Sequence, residues 1–369
     1  MITILHGDSR VVLQGLADES IDGCVSDAPY ALVSINKRFG SPNAAPATSG
    51  GASGVYRRAS AGFMGQGWDT GETAHDPAFW AEVWRVLKPG GHIIVAAGTR
   101  TYHRLAVAIE DAGFEIRDML TWLYGTGFPK SHNHDIDGEK WGTGLKPACE
   151  PWVLARKPLI GSVAENIARY GVGALNIDRC RVGSGPRALM VRAETVTLAN
   201  SMSGKPTGST SSGAMTSLGR WPANVVHDGS AQVVAAFPQA GGQRGDLKAT
   251  GRAKPSKHAY GDMAPPAPHT ARGDSGSAAR FFYCAKATKA DRCGSKHPTV
   301  KPIKLMQWFC RMIIPPGGVV LDPFAGSGTT GAAAYRDGFS AILIEREARF
   351  VLDIERRMAI EQQPKRVAA

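Results

Sequence analysis

Two short stretches combine residue types and spacings that could do chemistry. The first is Leu321-Asp322-Pro323-Phe324-Ala325-Gly326-Ser327-Gly328-Thr329-Thr330, an apolar run that enters a glycine turn and then a helix. Glycines at such a turn let a ligand approach the backbone, and the start of a helix offers unpaired N–H groups to an anionic group. Seventeen residues after Gly328 comes Glu345, at the end of the next apolar run. An acid in that place binds ribose hydroxyls in nucleotide-binding α/β folds. The bland alternative is a tight turn with a capping acid; the full order of elements points instead to an adenosine-containing ligand. A phosphate loop is excluded, because Thr329-Thr330 and no lysine follow the glycines. A ligand with a carboxylate and an amine in place of a phosphate chain fits better, and S-adenosylmethionine is such a ligand.

The second stretch is Asp27-Ala28-Pro29-Tyr30, again at the end of an apolar strand. Ligands in open α/β sheets bind beyond strand C-termini. Asp27 can accept a hydrogen bond from an amine, a neighbouring backbone carbonyl can accept a second, and Tyr30 can stack on a flat ring. A planar substrate with an exocyclic NH₂ group meets all three, although such a tetrapeptide also serves as a plain strand-ending turn.

These residues need elements to hold them. Ile2–Leu5 and Ile21–Ser26 read as strands around a helical Ser9–Leu16. Asp76–Leu87 has helical spacing and stops at Lys88-Pro89-Gly90-Gly91. Strand His92–Ala97, helix Tyr102–Ala112 and strand Phe114–Trp122 follow. The pattern returns near the end, with helix Ile303–Ile314, strand Val319–Leu321, a helix from the glycine turn to Tyr335, strand Phe339–Ile344 and helix Glu347–Glu361. Such alternation argues for an α/β parallel sheet built from both ends of the chain. Between them, Ser34–Gly62, Ser184–Gly219 and Ala240–Gly276 are rich in small and polar residues and read as flexible excursions. Compact islands, including Pro151–Leu159, Val163–Ile177 and Trp221–Val226, interrupt the middle.

The chain has 369 residues and a net charge of +11. Residues 1–124 balance at −3, residues 125–300 at +11 and residues 301–369 at +3. A basic excess concentrated in the middle suits a polyanion such as nucleic acid, and also serves solubility. No apolar run is long enough for a membrane span, and without a basic n-region at Met1–Arg10 no secretory signal is expected. The six cysteines form no CxxC pair, so neither a disulfide scaffold nor a metal module is expected. A cytoplasmic protein is the expectation.

Taken together, these residues resemble the DNA amino-methyltransferases, whose signature is Asp-Pro-Pro-Tyr with a Phe-x-Gly-x-Gly cofactor loop. The order here, acceptor motif first, resembles the β-class of that family, in its phage and prophage members. Gly7-Asp8, Val86-Leu87-Lys88-Pro89-Gly90-Gly91 and His297-Pro298-Thr299-Val300-Lys301-Pro302 add to the likeness. So do the middle segments Gly127-Phe128-Pro129-Lys130-Ser131-His132, Trp141–Pro147 and Arg280–Lys286. One residue departs: the family's first proline is Ala28 here, which keeps the backbone carbonyl but loses the stiffness of two prolines.

The resemblance implies a Rossmann-like, seven-stranded class I methyltransferase sheet, circularly permuted, with an inserted basic target-recognition region. Residues 1–130 would form the catalytic half, 131–295 the recognition region and 296–369 the S-adenosylmethionine-binding half. It implies transfer of a methyl group to the N6 amine of an adenine flipped out of DNA, with Asp27, Ala28, Pro29 and Tyr30 as the catalytic set. Asp8 would contact the cofactor's adenine, Glu345 the ribose, and Asp322, Phe324, Ala325, Gly326, Ser327, Gly328 and Thr329 the methionine side. Thr299 and Lys301 would close that end, Lys301 having a solvated helix-start charge as its alternative. No Pro-Cys nucleophile is present and no covalent intermediate is required. Trp141, Trp221, Phe281, Phe282 and Tyr283 could stack on DNA or belong to small cores. Cytosine-N4 methylation, protein-glutamine methylation and a DNA-binding protein with an impaired site are the alternatives. A homodimer stays open. The gene would be bacterial or phage-borne.

Overall fold

The computed structural model describes residues 1–30, 73–127, 131, 133–183, 187–192, 209–216, 219–240 and 275–363. The Ser34–Gly62 loop, Phe128–Lys130 and most of the two later excursions lie outside them. The chain divides into two compact units, one of Met1–Cys180, Ala223–Val233 and Cys284–Ala369, the other of Arg181–Pro222 and Val234–Tyr283.

The first unit is built on one large sheet. Its elements are β1 (Ile2–His6), α1 (Ser9–Val12), β2 (Ile21–Ser26), α2 (Pro77–Val86), β3 (Leu87–Ala96), α3 (Tyr102–Asp111) and β4 (Glu115–Leu123). A hairpin of β5 (Asn133–Ile136) and β6 (Glu139–Gly142) precedes β7 (Cys149–Arg156), α4 (Val163–Tyr170) and α5 (Ile177–Cys180). Beyond β8 (Arg187–Arg192) and β9 (Ser209–Thr216), which pair with each other, come β10 (Val225–His227), α6 (Ala231–Ala236) and β11 (Tyr283–Cys284). The chain closes with α7 (Ile303–Ile313), β12 (Val319–Asp322), α8 (Thr329–Arg336), β13 (Ser340–Glu345) and α9 (Ala348–Glu361).

Among the described residues the strand order is β1-β13-β12-β2-β3-β7-β4-β10-β11. The run from β1 to β4 supplies the seven expected strands, and β10 and β11 extend the edge to nine. The pairings from β1 to β3 are parallel, whereas β7 runs antiparallel to both β3 and β4. The decisive neighbour pair is β12 with β2, in register at Val320↔Gly23 and Leu321↔Cys24. It joins the two ends of the chain, and both strands finish at the same edge. Asp22 helps to hold this junction, accepting from Lys88 Nζ at 2.6 Å and from the Val319 N–H at 2.7 Å.

Strand alternation sorts the core onto two faces. On one, Ile93, Val95, Val153 and Ala155 meet Phe79, Trp80 and Val83 of α2 and Leu105 and Ile109 of α3. On the other, Trp152 of β7 meets Phe309 of α7, ring centroids 4.7 Å apart.

Two expectations change in detail. The helix before Lys88-Pro89-Gly90-Gly91 already stops at Val86, and those residues are extended and belong to β3. The register slips there, from Ile21↔Leu87 to Gly23↔His92. Gly90 permits it with a φ of 80°, where a Cβ would come 2.3 Å from Asn166 Nδ2. Residues 131–295 also do not fold as one unit. Seven of the eight residues of β7 are buried between β3 and β4, so this segment completes the sheet.

The second unit holds the β8–β9 pair and a bridge between Val182 and Arg220. Phe281 lies between the guanidinium groups of Arg220 and Arg280, at 3.9 and 4.2 Å, and Phe282 packs on Phe237. No helix among the described residues is long and apolar enough to cross a membrane.

Candidate active site

Because β2 and β12 are adjacent and parallel, the residues that follow them open into one cleft. It encloses about 1050 Å³, open solvent at its mouth included. Asp27, Ala28, Pro29 and Tyr30 line it from the β2 side, and Asp322, Phe324, Ala325, Gly326, Ser327 and Thr329 from the β12 side. Asp8, Thr299 and Lys301 line it as well. Gly328 and Glu345 do not.

The strand ends are stitched together below the cleft. Asp322 accepts from Ser26 Oγ and from Thr330 Oγ1, both at 2.5 Å, and from the Phe324 N–H at 3.1 Å. Burial pushes its carboxyl up to about 6, against these hydrogen bonds. Its oxygens are spent on shaping the loop. Ser9 Oγ donates to the Pro323 carbonyl at 2.6 Å, fixing the β1 turn to the same loop.

The glycine turn follows from backbone geometry. Gly326 and Gly328 have φ of 53° and 77°, a region where side chains are strained. A Cβ on Gly326 would lie 3.1 Å from His297 Nε2, and one on Gly328 3.0 Å from Ile354. Glu345 stands behind this turn: it accepts from the Gly326 N–H and from the Glu347 N–H, each at 2.7 Å. Burial pushes its carboxyl up to about 7. From α9 the buried Arg357 donates to the Ser327 carbonyl at 2.7 Å and to the Asp291 carbonyl at 2.8 Å. It thereby ties the turn to the segment leading into His297.

At the acceptor end, Lys301 is buried and central, not a solvated helix-start charge. Its Nζ donates to Tyr30 Oη at 2.8 Å and to Glu150 Oε2 at 3.0 Å, and lies 3.0 Å from Asp27 Oδ1 without hydrogen-bond alignment. Burial works against the ammonium, but Asp27 and Glu150 outweigh it and raise its pKa above the ordinary lysine value. Burial, then the Asp27 and Glu150 charges, hold the Tyr30 phenol protonated. Thr101 Oγ1 fixes the Tyr30 carbonyl at 2.6 Å.

Residues 229–356 match the model of a DNA methylase family, the N6 and N4 methylases. Among curated relatives, the type II methyltransferase M.HindIII of Haemophilus influenzae is 28% identical over 198 residues, 47% of this chain and 64% of that protein. The type II methyltransferase M2.DpnII of Streptococcus pneumoniae is 36% identical over 75 residues, 20% of this chain and 28% of that protein. The chain thus spans less than two thirds of the length of either relative. Among solved structures, PvuII DNA methyltransferase, cytosine-N4-specific, aligns over 99% of this chain and 87% of its own at 15% identity, TM-score 0.46. M1.HpyAVI in its complex with SAM aligns over 97% and 99% at 15% identity, TM-score 0.43.

The remaining predicted residues have specific partners. Asp8 caps α1 and pairs with Arg10 at 2.6 Å, and that hydrogen bond holds its carboxyl below the usual range. The Thr299 N–H donates to His297 Nδ1 at 3.3 Å, and burial lowers the His297 pKa to about 4. Trp141 and Trp221 are exposed, whereas Phe281 and Phe282 are packed within the second unit. Among the described residues no group of His, Cys, Asp and Glu could hold a metal ion.

Sequence reasoning missed Glu150 and Arg357. A readable signal existed for the first: a lone acid opening the apolar run Pro151–Ala155 is rarely buried without a partner. For Arg357 there was none, since arginines are frequent on exposed helix faces.

Proposed function

We propose that this chain transfers the methyl group of S-adenosylmethionine to the exocyclic amine of a DNA base, adenine N6 first. The observation that supports this best is the shared cleft: acceptor residues 27–30 and the glycine turn 324–329 meet at the ends of adjacent parallel strands.

The residues fit the cofactor. The turn around Gly326 is open on its cleft side, helix α8 begins just after it, and no lysine is present there to serve a phosphate chain. Phe324–Thr329 and Thr299 would hold the methionine portion, and Asp8 the adenine. Glu345 would act on the ribose end through the Gly326 backbone that it fixes. When bound, S-adenosylmethionine supplies an electrophilic methyl group on a sulfonium.

The rest is done by the chain. A base inside a duplex cannot reach the cleft, so it must be flipped out, at a cost of about a few kcal/mol. Tyr30 would stack on the extruded ring. Asp27 and the Ala28 carbonyl would accept the two amine N–H bonds and so aim the nitrogen lone pair at the methyl group. Positioning and preset dipoles supply the rate, with no covalent enzyme intermediate. The motif's Asp favours adenine, although adenine and cytosine present the same pairing of an amine and a ring nitrogen. Basic side chains of the middle region would hold phosphates and place exposed Trp141 and Trp221 against DNA. Labelled S-adenosylmethionine, unmethylated genomic DNA and nucleoside analysis test the reading. N6-methyladenine is expected; N4-methylcytosine would move the assignment to cytosine, and unlabelled DNA would refute it.

A further inference from the structure

Lys301 joins two carboxylates where one would satisfy it. Its ammonium lies 2.8 Å from Tyr30 Oη, 3.0 Å from Glu150 Oε2 and 3.0 Å from Asp27 Oδ1. The set is largely buried: side-chain exposure is 7% for Lys301, 10% for Glu150 and 17% for Asp27. The hydrogen bonds go to Glu150 and Tyr30, whereas Asp27 receives only the ion-pair contact. Asp27 Oδ1 and Glu150 Oε1 are both buried without a hydrogen bond. Buried acceptors left open in this way cost stability and call for a functional account.

We propose that Glu150 is a positioning residue for methyl transfer: by sharing the Lys301 ammonium, it keeps Lys301 from claiming Asp27 fully, so that Asp27 can accept the target amine. This rests on the methyltransfer reading above. Three charges are needed for the device. With Lys301 and Asp27 alone, the ammonium would turn to its single counter-ion and compete with the amine for the same oxygen. With the two carboxylates alone, their repulsion in a dry pocket would force one to hold a proton. Lys301 between them prevents the second outcome, and Glu150 prevents the first.

The test is a double-mutant cycle on the full chain with S-adenosylmethionine and DNA. Glu150→Gln should lower kcat about 10–100-fold, the scale of one hydrogen bond to a charged group. KM for S-adenosylmethionine should stay within about threefold, since Glu150 is not among the residues placed on the cofactor. Lys301→Met leaves Asp27 facing Glu150 and should also be slow. The combined variant leaves Asp27 with neither rival nor repulsion, and should turn over faster than Lys301→Met alone. Two merely structural losses would add; this pair compensates. Melting temperature and cofactor titration identify folded variants. Should Glu150→Gln unfold, the comparison of the combined variant with Lys301→Met still decides. Wild-type kcat in Glu150→Gln, or a combined variant no faster than Lys301→Met, overturns the role of Glu150. A wild-type protein that labels no DNA refutes the methyltransfer reading and removes Glu150's role with it.

Discussion

Burial decides how the carboxylates of this molecule behave. Glu345 accepts two backbone N–H bonds, yet its desolvation outweighs them and its carboxyl stands at about 7. Its folded pKa lies above the ordinary glutamate value, so the folded state binds the proton more tightly than the unfolded chain. Its contribution is therefore harmless in acid, and stability is lost as pH rises from about 4.5 to about 7. Glu345→Gln should remove that loss, on the order of 3 kcal/mol over the window, visible as a flatter pH dependence of the urea midpoint. An unchanged slope would show that Glu345 is not the titrating group. Asp27 and Tyr30 were legible in the sequence because their chemistry lies in one tetrapeptide. Glu150 was not, because its meaning comes from Lys301, a partner 151 residues away that no local spacing reveals.

At the scale of elements, the glycine turn is held from outside itself. α9 reaches back through Arg357, whose guanidinium satisfies the Ser327 and Asp291 carbonyls. Arg357→Met leaves two buried carbonyls without donors, and should cost about 2–4 kcal/mol of unfolding free energy. Cofactor affinity should fall with it, because the turn loses an anchor that Glu345 alone does not replace. Urea denaturation together with S-adenosylmethionine titration checks both, and a variant of wild-type stability would contradict the anchoring. Most helices and strands of the two terminal portions could be read from periodicity, since their apolar faces follow the 3.6- and 2-residue repeats. The strand start at Leu87 could not: Lys88-Pro89-Gly90-Gly91 has the composition of a turn, and only the slipped pairing with β2 draws it into the sheet.

For the whole molecule, topology makes the site. β2 and β12 are about 300 residues apart along the chain and adjacent in the sheet, which brings the acceptor tetrapeptide and the glycine turn to one edge. The sequence order of the two halves announced a permuted sheet, but not that the middle of the chain supplies one of its strands. β7 looked like one island among several, whereas its run of buried residues closes the sheet between β3 and β4. The basic excess of residues 125–300 carries its own prediction. DNA affinity should fall steeply with salt, about a thousandfold between 50 and 200 mM for six or more phosphate contacts, while S-adenosylmethionine affinity barely changes. Equal salt responses would argue against a phosphate-binding role for that region.

The most direct test compares wild type with Asp27→Ala, using labelled S-adenosylmethionine and unmethylated DNA, with cofactor affinity measured in parallel. The account predicts N6-methyladenine from wild type, none from the variant, and cofactor affinity within a few-fold in both. Full turnover by Asp27→Ala, or loss of cofactor binding together with transfer, would contradict a cleft in which the acceptor and cofactor residues have separate tasks.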